Sequence, residues 1–277
     1  MKDDARPAAA LVFTASEAGL AGELFADIAQ MSRDTRGVSR PAWSAREAEV
    51  LDYLCARATQ EGLETWADDL GNRLFCLPGD RCATPYTLIG SHADSVPAGG
   101  NFDGLAGIVA GLICLVHQHR SGRRFARPVR VIAMRGEESA WFGPCYTASK
   151  ALMGCLTAED LASRHKGDGR SLSEHMAEIG VPTTPLHAGQ PLMDVSEIAE
   201  YLELHIEQGP LLAGLGKPAA IVTGIRGNLR LKEIVAHGEA GHSGAVPREY
   251  RRDPVMAVAR LLAEMDDLWA SELAAGQ

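Results

Sequence analysis

Five side chains in this sequence, His92, Asp103, Glu137, Glu138 and His205, are of the kinds that hold divalent metals and move protons. His92, Asp103, Glu138 and His205 offer the imidazole and carboxylate donors that borderline divalent cations select. A carboxylate such as Asp103 can bridge two cations through its two oxygens. That leaves one imidazole and at least one carboxylate to complete each shell, so the pattern points to a pair of divalent ions. Asp94, two residues after His92 and on the same side of an extended segment, is placed to accept the second imidazole N–H and fix the tautomer. Adjacent acids at a strand end point in different directions, so Glu138 can ligate while Glu137 faces water. Glu137 is the expected general base, taking a proton from water acidified by the metals and passing it to a leaving nitrogen.

These residues need a scaffold that brings separate segments to one edge. Tyr86–Gly90 reads as a short strand delivering Ser91-His92-Ala93-Asp94 to its end. Asn101-Phe102-Asp103-Gly104 then leads into a small-residue helix, Leu105 to His119, which must pack closely on a sheet. Pro128–Met134 is the next strand and runs into Arg135-Gly136-Glu137-Glu138. Ser44-Ala-Arg-Glu47 reads as a capping box opening a helix that stops at Gly62, and Ser171-Leu-Ser-Glu174 as another, for a helix ending near Gly180. Ile198 to Glu207 is expected to be a strand carrying His205. Strands alternating with helices predict an α/β fold, a mostly parallel layered sheet with flanking helices, whose ligand-binding edge lies at the strand ends. After Gly209-Pro210 the pattern changes. Ala219–Ile225 and Leu229–Ala236 read as neighbouring strands, and Asp253-Pro254 starts an amphipathic helix through Trp269, so a second domain is expected to begin here.

At 277 residues with 46% hydrophobic and 23% charged residues, the chain has the composition of a packed globular protein. A net charge of -9, with scattered Lys and Arg, offers no footprint for nucleic acid. The six cysteines include no C-x-x-C pair and are expected to be reduced. No leader and no stretch of membrane-spanning length is seen, so a cytoplasmic protein without membrane contact is expected. His117, His119, His165, His175, His187 and His237 lack a surrounding motif and are read as surface or hydrogen-bonded residues.

Gly90-Ser-His-Ala-Asp-Ser-Val-Pro97, Gly99-Gly-Asn-Phe-Asp-Gly104 and Glu137-Glu138 with Phe142-Gly143 resemble the metal motifs of the M20-type metallopeptidase superfamily. Glu203-Leu-His-Ile-Glu-Gln-Gly-Pro210, Gly241-His-Ser-Gly-Ala-Val-Pro247 and Arg251-Arg-Asp253 resemble more narrowly its amidase branch, which acts on N-carbamoyl amino acids, β-ureido acids and allantoate. The resemblance implies that His92, Asp103, Glu138 and His205 ligate two divalent ions (Zn, or Mn, Co or Ni), with Asp103 bridging and Glu137 as acid and base. It makes Gln208 and His242 substrate-contacting residues. The reaction implied is metal-dependent hydrolysis of a ureido or carbamoyl C–N bond, releasing ammonia and carbon dioxide. An M20-type dipeptidase or aminoacylase, or a non-catalytic fragment, is the alternative. The implied organisation is a catalytic domain over 1–212, then the beginning of a lid and dimerisation domain over 213–277, in a family that forms homodimers. In that family the chain continues through the rest of the lid to a final His ligand, whereas the last histidine here is His242. Arg135-Gly136 stands where an apolar-Asp pair is more usual.

Overall fold

A computed structural model describes residues 13–225, 231 and 233–274. The chain divides into two compact units, the first ending at Leu211 and the second beginning at Leu212.

The first unit opens with α1 (Ala15–Met31) and α2 (Ala45–Gln60), followed by the hairpin β1 (Glu64–Ala67) and β2 (Arg73–Cys76). Then come β3 (Tyr86–His92), α3 (Leu105–Arg120) and β4 (Val129–Met134). Four short helices, α4 (Thr147–Leu152), α5 (Ala158–Ala162), α6 (Leu172–Glu178) and α7 (Thr184–His187), lead to β5 (Ile198–Leu202), and the single turn α8 (Leu211–Gly214) falls at the boundary with the second unit. The sheet order is β1-β2-β4-β3-β5. β3 pairs in parallel with β4 and with β5, while the hairpin adds antiparallel pairs at the other edge. The three strands that matter for the site are therefore the parallel ones. In their register His92 lies opposite Met134.

Alternation along β4 explains the layers. Val129, Val131 and Ala133 face a core shared with α1, α2 and α3, and Ile132 faces a second core with Trp43, Phe142 and the helices after β4. Burial on both faces is why this strand is apolar throughout except for Arg130, whose guanidinium lies over the Tyr86 ring. The close approach expected of α3 is real: a side chain at Gly107 would sit 2.4 Å from the Leu204 carbonyl, and one at Gly111 2.9 Å from a Val131 methyl. All six thiols are free.

Three expectations change. Ser44 does cap α2, but the Glu47 carboxylate takes the N–H groups of Trp43 and Gly136 instead of closing the box on Ser44. β5 stops at Leu202, so His205 lies on irregular chain beyond the strand. The pairing of β5 with β3 shifts register between Tyr86 and Thr87 and ends at Ile89 opposite Leu202. In the second unit Ala219–Ile225 forms no strand, and neither do the described residues of Leu229–Ala236, the rest of which lie outside the described set. A strand needs a ladder partner, and none of the described residues of this unit supplies one. The helix α9 (Pro254–Ala274) starts where expected, with Asp253 Oδ1 accepting the Val255 and Met256 N–H groups, and runs past Trp269. No helix among the described residues is long and apolar enough to cross a membrane.

Candidate metal centre at the strand ends

His92, the last residue of β3, is buried, and its Nδ1 lies 3.0 Å from the main-chain oxygen of Asp94. A carbonyl can only accept, so Nδ1 carries the proton and Nε2 is left as the free donor atom. The tautomer is thus fixed by Asp94, though chiefly by its backbone; the carboxylate stands farther off, at 3.5 Å. His92 Nε2 lies 3.8 Å from Asp103 Oδ1 and 3.8 Å from Glu137 Oε2. His205 approaches the same Asp103 oxygen, with Nε2 at 3.3 Å, while its Nδ1 is 2.8 Å from the Ile206 carbonyl. Both imidazoles therefore present Nε2 to one carboxylate. Two groups of ligand-type atoms result, His92 with Asp103 and His205, and His92 with Glu137 and Glu138. They share His92.

The acids arrive by way of β4, and their backbone is held from outside. Four successive N–H groups end on buried side chains from other segments: Arg135 on Asn72 (2.9 Å), Gly136 on Glu47 (3.0 Å), Glu137 on Asp94 Oδ1 (3.0 Å) and Glu138 on Asp94 Oδ2 (2.9 Å). The main duty of the Asp94 carboxylate is to this pair of amides. Arg135 is buried with its Nε 3.4 Å from Glu47 Oε2, and Trp43 and Thr147 crowd Gly136 so that a side chain there would sit 2.1 Å from the indole nitrogen. The unusual Arg135-Gly136 pair is accounted for by this arrangement: an internal cation for Glu47 and a residue small enough to pass Trp43. Complete burial nevertheless pushes the Glu47 carboxyl up to about 8, against the pull of Arg135.

Charge is concentrated here. Burial and then the neighbouring Glu137 push Glu138 up to about 7, and burial also raises Glu137. Burial disfavours a charged His92, but the Asp94 carboxylate and then Glu137 outweigh it and carry the imidazole up to about 9. Asp103 Oδ1 is buried and accepts no hydrogen bond, although two imidazole nitrogens face it. An orphaned carboxylate oxygen between imidazoles, beside two crowded acids, is the environment that divalent cations fill. The donor set fits such ions.

Gln208, in a left-handed backbone conformation (φ 54°), donates from Nε2 to Asp103 Oδ2 at 2.6 Å. It holds the carboxylate that faces both histidines. His242 belongs to the second unit, and its Nδ1 accepts the N–H groups of Gly244 and Ala245, each at 3.1 Å. Nε2 of a neutral His242 is thereby a proton donor.

Sequence reasoning passed over Arg40, Glu47 and Asn72. Arg40 is buried, donates from Nε to the Ala93 carbonyl at 2.6 Å, and has its own N–H on Ser95 Oγ at 3.0 Å, so it fixes the chain around Asp94. Nothing in local spacing marks an arginine as buried. Glu47 was visible only as a capping residue.

The fold and this site together define a layered α/β domain with a candidate divalent-metal centre at the ends of its parallel strands. No family model matches the sequence. The chain is 35% identical over 231 residues to an N-carbamoyl-L-amino acid amidohydrolase of Geobacillus stearothermophilus, an alignment covering 83% of this chain and 56% of that one. It is 32% identical over 227 residues to the allantoate amidohydrolase of Escherichia coli, covering 81% and 54%. Among solved structures, a hydantoinase/carbamoylase family amidase from Burkholderia ambifaria superimposes with a TM-score of 0.74 at 28% identity, covering 92% of this chain and 61% of that one. The chain is a homologue of the N-carbamoyl-L-amino acid and allantoate amidohydrolases, with the fold of the hydantoinase/carbamoylase amidases. It spans about half the length of the curated relatives it matches.

Proposed function

We propose that this chain carries the metal-binding part of an amidohydrolase that cleaves the ureido or carbamoyl C–N bond of small N-carbamoyl amino acids or allantoate. One observation carries the reading: the buried, unpartnered Asp103 Oδ1 set between His92 Nε2 and His205 Nε2. His92, Asp103, Glu138 and His205 would hold two divalent ions; mixed nitrogen and oxygen donors suit Zn, Mn, Co or Ni. When bound, such ions supply Lewis acidity, polarising a carbonyl and making water easier to deprotonate.

The protein's own groups do the rest. Glu137 takes a proton from the attacking water and returns it to the leaving nitrogen, a task suited to a carboxyl raised by burial. A ureido compound R–NH–CO–NH2 and one water then become R–NH2, carbon dioxide and ammonia. Asp94 keeps Glu137 and Glu138 in place through their N–H groups. Gln208 steadies Asp103 and meets substrate beside it, and the Nε2–H of His242 serves as a donor to the reacting carbonyl. Residues 1–212 form the catalytic domain and 213–277 begin a lid that pairs subunits in a homodimer. The apolar Val255, Leu261, Leu262, Leu268 and Trp269, exposed on α9, support a role for this segment in contacts. Absence of a membrane-crossing helix among the described residues and the free thiols support a cytoplasmic location.

The test is ammonia release from N-carbamoyl amino acids and from allantoate, with metal content measured on the same sample. Metal-dependent release is expected, and Glu137→Gln should lower it by about 100-fold or more while metal content stays the same. Full metal loading with no ammonia from either substrate class, or a Glu137→Gln variant as active as the parent, would count against the reading.

A further inference from the structure

The chain between two of the proposed ligands, from His92 to Asp103, is seated on the connection between α1 and α2. Val38 and Gly99 exchange N–H to carbonyl bonds of 3.0 and 2.8 Å, the Ala98 N–H donates to Ser39 Oγ at 2.8 Å, and the Ser95 N–H donates to the Arg40 carbonyl at 3.0 Å. Arg40 closes this pairing at its Ser95 end and is fully buried. Its Nε donates to the Ala93 carbonyl at 2.6 Å and its Nη1 to Asn101 Oδ1 at 3.2 Å. One guanidinium thus joins the residue after His92 to the residue two before Asp103. Asn101 is held from the other side as well, with Nδ2 donating to the Phe25 carbonyl of α1 at 2.8 Å.

Stability alone is a poor account of this arginine. Its acceptors, Ala93, Asn101 and, at 3.5 Å, Ser32, are all neutral, and Nη2 is buried without one. Taking a charge out of water onto neutral partners costs free energy that a well-packed apolar side chain would avoid. Burial accordingly pulls the guanidinium down to about 10, while Asp94 and then Asp103 act to hold it up. What only a guanidinium offers is a planar fork whose separate nitrogens reach two acceptors at a fixed spacing. Here those acceptors are the two ends of the loop that sets His92 Nε2 and Asp103 Oδ1 3.8 Å apart.

We propose that Arg40 is a positioning residue for the strand-end metal centre: its guanidinium fork fixes the separation of His92 and Asp103 by tying together both ends of the loop between them. The inference rests on the metal-binding reading given above. A lysine would keep the charge but has a single nitrogen, which cannot hold both ends. Asn101→Ala would cut the same link at its far end and leave Arg40 its bond to Ala93.

Cobalt(II) binding to the whole chain tests this without any need for turnover, because the ion's visible absorption reports both affinity and ligand geometry. Arg40→Lys should weaken binding about 10-fold or more and alter the spectrum, as should Asn101→Ala. The double variant should lose little more than either single one, since both cut one link. Val50→Ala, in the core shared by α1, α2 and α3, separates positioning from stability: it should lower the Tm yet leave cobalt affinity unchanged. Should Arg40→Lys fail to fold, Asn101→Ala decides, together with amide exchange at Ser95, Ala98 and Gly99 in the metal-free protein, which should quicken once the loop end is released. A parent that takes up no cobalt would overturn the metal-binding reading and this role with it. A parent that binds cobalt while either folded single variant binds it as tightly, or losses that simply add in the double variant, would overturn the role of Arg40 alone.

Discussion

Asp94→Asn is expected to destabilise the fold by about 3 kcal/mol and to weaken metal binding at the strand ends at least tenfold. The substitution keeps the shape and changes one atom. Asp94 presents one oxygen to the Glu137 N–H and the other to the Glu138 N–H, and it is fully buried. An amide can accept at only one of those positions and must turn its NH2 toward the other donor. One buried backbone N–H then has no acceptor, at a cost of about 1–3 kcal/mol, and a hydrogen bond to a charged group is lost as well. A competing effect has the opposite sign, since the Asp94 charge raises both Glu137 and Glu138 and its removal relieves repulsion. That repulsion is secondary for both acids, behind burial, so the lost acceptor should dominate. Urea unfolding gives the stability change and zinc titration the affinity. A variant within about 0.5 kcal/mol of the parent would mean that the clamp on Glu137 and Glu138 is not what holds them.

This clamp also shows where sequence reading stops. β3, α3 and β4 were legible because each is a long apolar or small-residue run with polar residues gathered at one end, and these elements carry His92, Asp103, Glu137 and Glu138 to a single edge. The β1–β2 hairpin was not, since its strands of four residues mix Glu, Thr and Arg with apolar residues and show no clear period. α1 was missed although Thr14 and Glu17 form a complete capping box, a signal present in the sequence and overlooked. The partners of the acid-bearing loop could not have been found by spacing. Asn72, Glu47 and Asp94 reach it across 63, 89 and 43 residues of chain, and only the sheet order brings them there. Local rules even misdirected one of them, because a Glu three residues after Ser44 reads as a cap. Burial against Gly136 and Arg135 decides otherwise.

Gly104→Ala should be among the most damaging single-methyl additions in the first unit. Gly104 starts α3 at φ 66° and ψ −51°, a conformation that costs a side chain energy before any contact is considered. A Cβ there would stand 2.4 Å from the His92 carbonyl oxygen and 2.5 Å from His92 Nδ1. Neither can move aside cheaply. The carbonyl belongs to β3, held opposite Met134 in the parallel ladder, and the ring is tethered to Asp94. Backbone strain and overpacking together should cost about 3 kcal/mol or more, and in molecules that remain folded the His92 Nε2 is displaced from Asp103 and Glu137. Zinc affinity at the strand ends should therefore fall more than stability alone accounts for. Gly100→Ala is the control: it lies on the same loop, and a side chain there meets nothing within 4 Å. Thermal unfolding and zinc titration of the two variants should separate them clearly, with Gly100→Ala within about 0.5 kcal/mol of the parent. Similar behaviour of the two would show that the tight packing of Gly104 on His92 does not govern the site.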